Sequence, residues 1–228
     1  MAWLIPAVQH AREAARHTQC RGNYAQIRLA FYNYQDAYGC LPPAYIADKD
    51  GKPMHSWRVL ILPFIDWNDL YKKYNFSEPW NGPNNRQLLH ECPMVFNCPS
   101  RPGFPDTTNT SYVVVTGRET AFPGSEPISL DDITDGPENT ILVVEIADNE
   151  IHWMEPRDLK FDEMSFIIDD PTKPSISSPH IVGPAVMFAD GGSGVRLQKY
   201  VSPESVKAML TIAGGEEFTI DDLSPRSK

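Results

Sequence analysis

Apolar side chains recur every three or four residues through the opening stretch of this chain. Leu4, Val8, Ala11, Ala15 and Thr18 keep a 4-3-4-3 spacing, and Tyr24, Ile27, Phe31, Tyr34 and Tyr38 keep 3-4-3-4. This is the repeat of one helix face. It predicts an α-helix over 5–38, with its apolar phase shifted across Arg21–Gly22–Asn23. Pro6 suits the first turn, where its missing N–H would have had no partner. Gly39 and then Pro42–Pro43 supply the stop. Unbroken, such a helix is about 50 Å long, whereas a compact domain of this size is about 35–40 Å across. The Ala/Arg-rich first half is therefore expected to project, with Leu4 and Val8 making few contacts, and the aromatic half to pack on the body.

The pattern then changes. Residues 39–55 read as a Pro-rich connection with a turn at Asp50–Gly51. Trp57, Leu60, Ile61, Phe64, Ile65 and Leu70 fit a buried helical stretch kinked at Pro63, and Asn84–Asn85 opens a short helix. MVFNCPS reads as a strand ended by Pro99. SYVVVTG (111–117) and TILVVEIAD (140–148) are β-branched runs bounded by turn residues, the signature of strands. ITDGPENT between them is a tight loop turning at Asp135–Gly136. A second short element is expected in HWMEPRDLKF, and 162–179 reads as an exposed insertion. Ala185–Ala189 and Val195–Gln198 form a hairpin about Asp190–Gly194. A last helix follows, capped by Ser202 with Pro203 at its first position. One long helix followed by antiparallel strands is the α+β class. The division is a helix over 1–38 and a head over 39–228, the second half of the helix forming one unit with the head.

Composition narrows the function. A length of 228 residues suits one domain. A net charge of −10 argues against nucleic acid as a partner, because duplex binding rests on Lys and Arg contacts to phosphate. No window approaches the about 20 apolar residues that span a bilayer. The four cysteines, Cys20, Cys40, Cys92 and Cys98, are expected as reduced or partly paired thiols. The alternative is a Cys92–Cys98 disulfide closing a small loop. Zinc lacks the CxxC pairs and closely spaced histidines of common sites.

Seven blocks, in order, carry a resemblance: residues 4–45, SWRVLILPFID (56–66), FNCPS (96–100), SYVVVTG, ITDGPENTILVVE (133–145), WMEPRDL (153–159), and His180 separated by nine residues from Asp190–Gly191. Together they resemble a large planctomycete family of unknown function with prepilin-type N-termini, also filed among bacterial solute-binding proteins. The resemblance implies a type IV pilin-like fold enlarged by insertions. It implies a non-enzymatic structural subunit of the cell envelope, pseudopilin-like, meeting other pilin-like subunits through its N-terminal helix. In that family an apolar signal-and-membrane segment precedes the helix. Here LIPAV reads as its last turn, so the chain is expected to be trimmed from a longer anchored protein, with an extracytoplasmic head. Some type II secretion pseudopilins, which the chain also resembles, bind calcium in a C-terminal loop. That implies Asp190, Asp135 and Glu138 as calcium ligands, with no other cofactor.

Other residues invite chemistry. His180 and Asp190 could meet across the strand connection as an ion-binding or acid–base pair; the structural reading, favoured here, makes Asp190–Gly191 a hairpin turn. Glu145, Asp148, His152 and Glu155 bring carboxylates and an imidazole near one strand end. No nucleophile elbow, HExxH or phosphate-binding glycine loop accompanies them, so no enzyme is expected. Trp57, Trp67, Trp80 and Trp153 could line a glycan- or peptide-binding surface, the alternative function, or serve as core.

Overall fold

The computed structural model describes residues 4–105, 108–147, 150–191 and 193–215. Helix α1 runs Leu4–Tyr38. A four-stranded antiparallel sheet of order β3-β5-β7-β8 forms the centre, built from β3 (Tyr112–Val113), β5 (Ile141–Glu145), β7 (Ala185–Phe188) and β8 (Ser193–Arg196). Side chains alternate across a pleated strand. Tyr112, Ala185 and Met187 therefore face the core under α1. Val113, Val186 and Phe188 face a second core, closed by 159–176 and by α4 (Pro203–Ala208). The chain is thus an α+β protein, with its sheet buried on both faces.

Helix α1 lies on the sheet along one continuous face. Cys20, Tyr24, Ile27 and Phe31 are buried, and Glu13 and His17, half-buried, extend the same face one step earlier. Residues 13, 17, 20, 24, 27 and 31 keep an unbroken 4-3-4-3-4 spacing, so the phase shift expected at Gly22 does not exist. The apolar residues Val8, Ala11 and Ala15 point to solvent. They set a false phase because the true face continues with polar side chains that meet polar partners. The projecting first half is as expected, since Val8 is 47% exposed and Phe31 is 1% exposed. Tyr38 departs from the expected stripe: it is 61% exposed, lying against Tyr34 and Phe64 at the rim.

Several connections differ from the sequence reading. Residues 39–55 contain a hairpin of β1 (Tyr45–Ala47) and β2 (Pro53–Ser56), turned where the Asp48 carboxylate accepts the amides of Asp50 and Lys52. The apolar stretch after Ser56 is broken into α2 (Trp57–Leu60), a single 3-10 turn at Leu62–Phe64 holding Pro63, and α3 (Asn68–Lys73). Residues Met94–Phe96 are a 3-10 turn, not a strand; Pro93 lacks an amide to pair and starts the turn instead. The segment 162–179 is no exposed insertion, because Met164, Ile168 and Ile176 are buried in the second core. The element expected in 152–161 is β6 (Leu159–Lys160), paired in parallel with β4 (Val115–Thr116).

The C-terminal hairpin docks on α1 through main-chain carbonyls. Tyr24 Oη donates to Ala185 O and Tyr32 Oη to Ala189 O, both at 2.6 Å. Arg28 Nη1 donates to Gly191 O at 2.8 Å. Gly191 has φ +95°, so the turn needs glycine for its shape, and a Cβ there would meet Arg28 Nη1 at 2.8 Å and push that head group aside.

Candidate functional site

Where the buried half of α1 begins, four elements deliver ionisable side chains to one point. Cys20 comes from α1, Cys98 from the loop after the 94–96 turn, Glu145 from the end of β5, and His180 from the segment entering β7. All four are buried. Glu145 pairs in register with Tyr112 and so faces the helix. Cys20 Sγ lies 3.5 Å from Cys98 Sγ and 3.4 Å from His180 Nε2. Cys98 Sγ lies 3.2 Å from the same nitrogen, and Glu145 Oε1 lies 3.8 Å from it.

A surrounding layer orients these atoms. His180 Nδ1 is 2.6 Å from Glu13 Oε1, so the ring donates its Nδ1–H there and turns Nε2 inward. Glu13 also accepts from Ser100 Oγ at 3.3 Å and contacts His17 Nε2 at 3.1 Å. The other oxygen of Glu145, Oε2, accepts from Ser178 Oγ at 2.8 Å and from the Ala185 amide at 3.0 Å. Arg196 Nη1 approaches that oxygen to 3.7 Å. Oε1 of Glu145 is buried without a hydrogen-bond partner.

The electrostatics follow from burial and from these contacts. The hydrogen bond from the Cys98 thiol, with help from His180, outweighs burial and holds the Cys20 thiol down to about 5. Cys98 moves strongly the other way, because its proton is the one shared with Cys20 and burial opposes a second thiolate. Burial raises Glu145, against the stabilising Ala185 amide. Burial alone would lower His180, but its contact with Cys20 and the nearby Glu145 carboxylate raise it. Burial likewise would raise Glu13, and the His180 contact overrides it and holds that carboxyl below its ordinary range. Two thiols, a carboxylate and an imidazole nitrogen are donors able to hold a divalent metal.

The residues singled out from sequence are placed differently. His180 does not reach Asp190; its imidazole meets Glu13, Cys20, Cys98 and Glu145, and Asp190–Gly191 forms the turn under Arg28. The loop of Asp135 and Glu138 does come near that turn, since the Asp190 amide donates to Pro137 O. The Asp135 carboxylate, however, accepts the amides of Gly214 and Gly215, and among the described residues these acids form no metal-holding group of three. Cys92 and Cys98 are not joined: Cys92 Sγ accepts from Asn97 Nδ2, while Cys98 turns to Cys20. Asp148 lies outside the described residues. His152 stacks on Trp80 and Glu155 pairs with Arg157, so neither joins Glu145. Trp57 and Trp153 are wholly buried. A cleft of about 700 Å³ is lined by residues including Ile151, Arg157, Asp169 and Lys173 and by no tryptophan.

Sequence reasoning missed Glu13, His17, Cys20 and Cys98 as partners of His180. The available signal was positional: Glu13, His17 and Cys20 extend the Tyr24–Ile27–Phe31 face backwards without a break.

No curated protein and no solved structure matches the chain. Residues 9–125, more than half of its length, match the family model described as a protein of unknown function, DUF1559. The chain belongs to that family.

Proposed function

We propose that this protein is a non-enzymatic structural subunit, the head of a pilin-like envelope protein whose partners are other subunits of the same kind. The observation that carries this reading is the half-attached helix. From Cys20 to Phe31 the helix is built into the core, whereas among the described side chains from Val8 to Gln19 only Glu13 and His17 turn toward the body. An exposed, regular helical end offers a surface for parallel neighbours, as the helices of pilin-type filaments do. No helix among the described residues is long and apolar enough to cross a membrane; in this reading α1 continues an anchoring segment in the native protein, and the head is extracytoplasmic. The planctomycete resemblance of the sequence blocks supports the same assignment. Fractionating the native protein tests it. Recovery with envelope membranes, released only by detergent, is expected; a wholly cytosolic distribution would overturn it.

A further inference from the structure

The four inward-facing atoms at the head of the buried helix have the spacing of ligands around one ion. With zinc–sulfur bonds of about 2.3 Å and zinc–nitrogen or –oxygen bonds of about 2.0–2.1 Å, a tetrahedron has edges of about 3.8 Å (S–S), 3.6 Å (S–N) and 3.3 Å (N–O). The corresponding separations here are 3.5 Å, then 3.4 and 3.2 Å, and 3.8 Å.

We propose that Cys20, Cys98, Glu145 and His180 form a structural zinc-class metal site that fastens α1 to the sheet. An independent observation points to a ligand. Glu145 is fully buried, and its Oε1 has no hydrogen-bond partner while facing the two sulfurs and Nε2. A buried carboxylate oxygen left unpaired is costly, and a cation at the centre satisfies it. The surrounding layer is also that of a metal site. The Glu13 carboxylate holds Nδ1–H of His180 and fixes the tautomer whose Nε2 lone pair points inward. Ser178 and the Ala185 amide hold Oε2 of Glu145, so that Oε1 is the atom presented.

Charge is balanced as well. Binding displaces the proton that Cys98 shares with Cys20 to solvent, giving two thiolates and a carboxylate around the dication, and the Arg196 guanidinium beside Glu145 offsets the remaining negative charge. Mixed thiolate, imidazole and carboxylate donors suit zinc and its tetrahedral substitutes better than calcium or magnesium, which take oxygen ligands. All four ligands come from the protein and all are buried, leaving no open position for a substrate, which marks a structural centre. A Cys20–Cys98 disulfide is the rival use of these sulfurs. It would need them to close to about 2.05 Å and would leave Glu145 Oε1 without a partner.

The test is metal binding by the full chain, purified reduced and free of metal. Co²⁺ should bind at one equivalent with the visible bands of a tetrahedral ion and a near-ultraviolet thiolate charge-transfer band, and Zn²⁺ should displace it and raise the melting temperature. Cys20→Ser and Cys98→Ser should each remove the charge-transfer band or weaken it with at least a tenfold loss of affinity. Glu145→Gln, which keeps the side-chain volume, covers the case in which a cysteine variant misfolds; its circular dichroism should be unchanged and its zinc affinity at least tenfold weaker. His17→Ala should leave the stoichiometry at one. Absence of Co²⁺ binding, octahedral spectra without charge transfer, affinity untouched by Glu145→Gln, or binding lost only in His17→Ala would each overturn the proposal. So would a Cys20–Cys98 disulfide in the protein isolated from its native source.

Discussion

Arg58 Nη2 sits 2.6 Å from Asp158 Oδ1, and neither side chain has appreciable contact with solvent. The pair works because the other guanidinium nitrogens also have partners: Nε goes to Tyr112 O, and Nη1 to Ser56 Oγ and Glu155 O. The same carboxylate oxygen also accepts from Trp57 Nε1 and from the Val114 amide. Removing one partner leaves an uncompensated buried charge, a loss of about 3–5 kcal/mol. Asp158→Ala should show this in urea unfolding. The double substitution Arg58→Met with Asp158→Leu should recover only part of it, since no charge is left behind but Trp57 Nε1, the Val114 amide and Tyr112 O lose their partners.

Phe31 is packed edge-on against Trp57 and Phe122. Phe31→Ala leaves a cavity where helix and head meet and should cost about 3–5 kcal/mol, as for other buried aromatics. A shift of less than about 1 kcal/mol in the unfolding free energy would contradict the packing described.

Gly22 lies in the helix interior, exposed, with nothing within 4 Å of the place a Cβ would take. Gly22→Ala should therefore stabilise the protein by about 0.5–1 kcal/mol, the difference in helix propensity. A rise in the thermal midpoint with an unchanged fold is the expected readout. A fall would mean that the helix is bent there.

His55 is buried between Tyr74 and Phe76, its Nδ1 2.9 Å from Tyr74 Oη. Burial holds its pKa below the ordinary 6.5, against a smaller opposing contact with the Phe76 backbone. The folded state thus favours the neutral ring. Its contribution to stability is complete above pH 6.5 and is lost as the pH falls through the folded-state value. Wild-type urea midpoints should decline between about pH 7.5 and about pH 5.5 more steeply than those of His55→Gln. Equal slopes would refute a buried neutral histidine.

The long helix, the strands at 112 and 141 and the final hairpin were legible because each has a strong local period or a turn signal. The two buried faces of the sheet were partly legible in ILVVE, an unrelieved apolar run ended by a carboxylate. The candidate site was not. Its ligands lie up to 160 residues apart, and each sits on a different element, so no local spacing encodes it. The helix phase misled for a related reason. Hydrophobicity marks a buried face only where the partner surface is apolar, and at Glu13, His17 and Cys20 it is not. The 94–96 turn and the β1–β2 hairpin were lost among prolines, which mark irregular backbone without saying which kind.

The attachments of α1 are strung along the segment it lies upon, Glu13 to His180, Tyr24 to Ala185 and Tyr32 to Ala189, with Arg28 reaching past the last of these to Gly191 in the turn. They spread along about 28 Å of helix at 1.5 Å per residue. A pull along the helix axis strains all of them together, in shear. A sideways force on the projecting end instead loads Glu13–His180 first and opens the joint like a zip. The helix is therefore mounted as a tie-rod that resists tension along its length and yields to leverage across it.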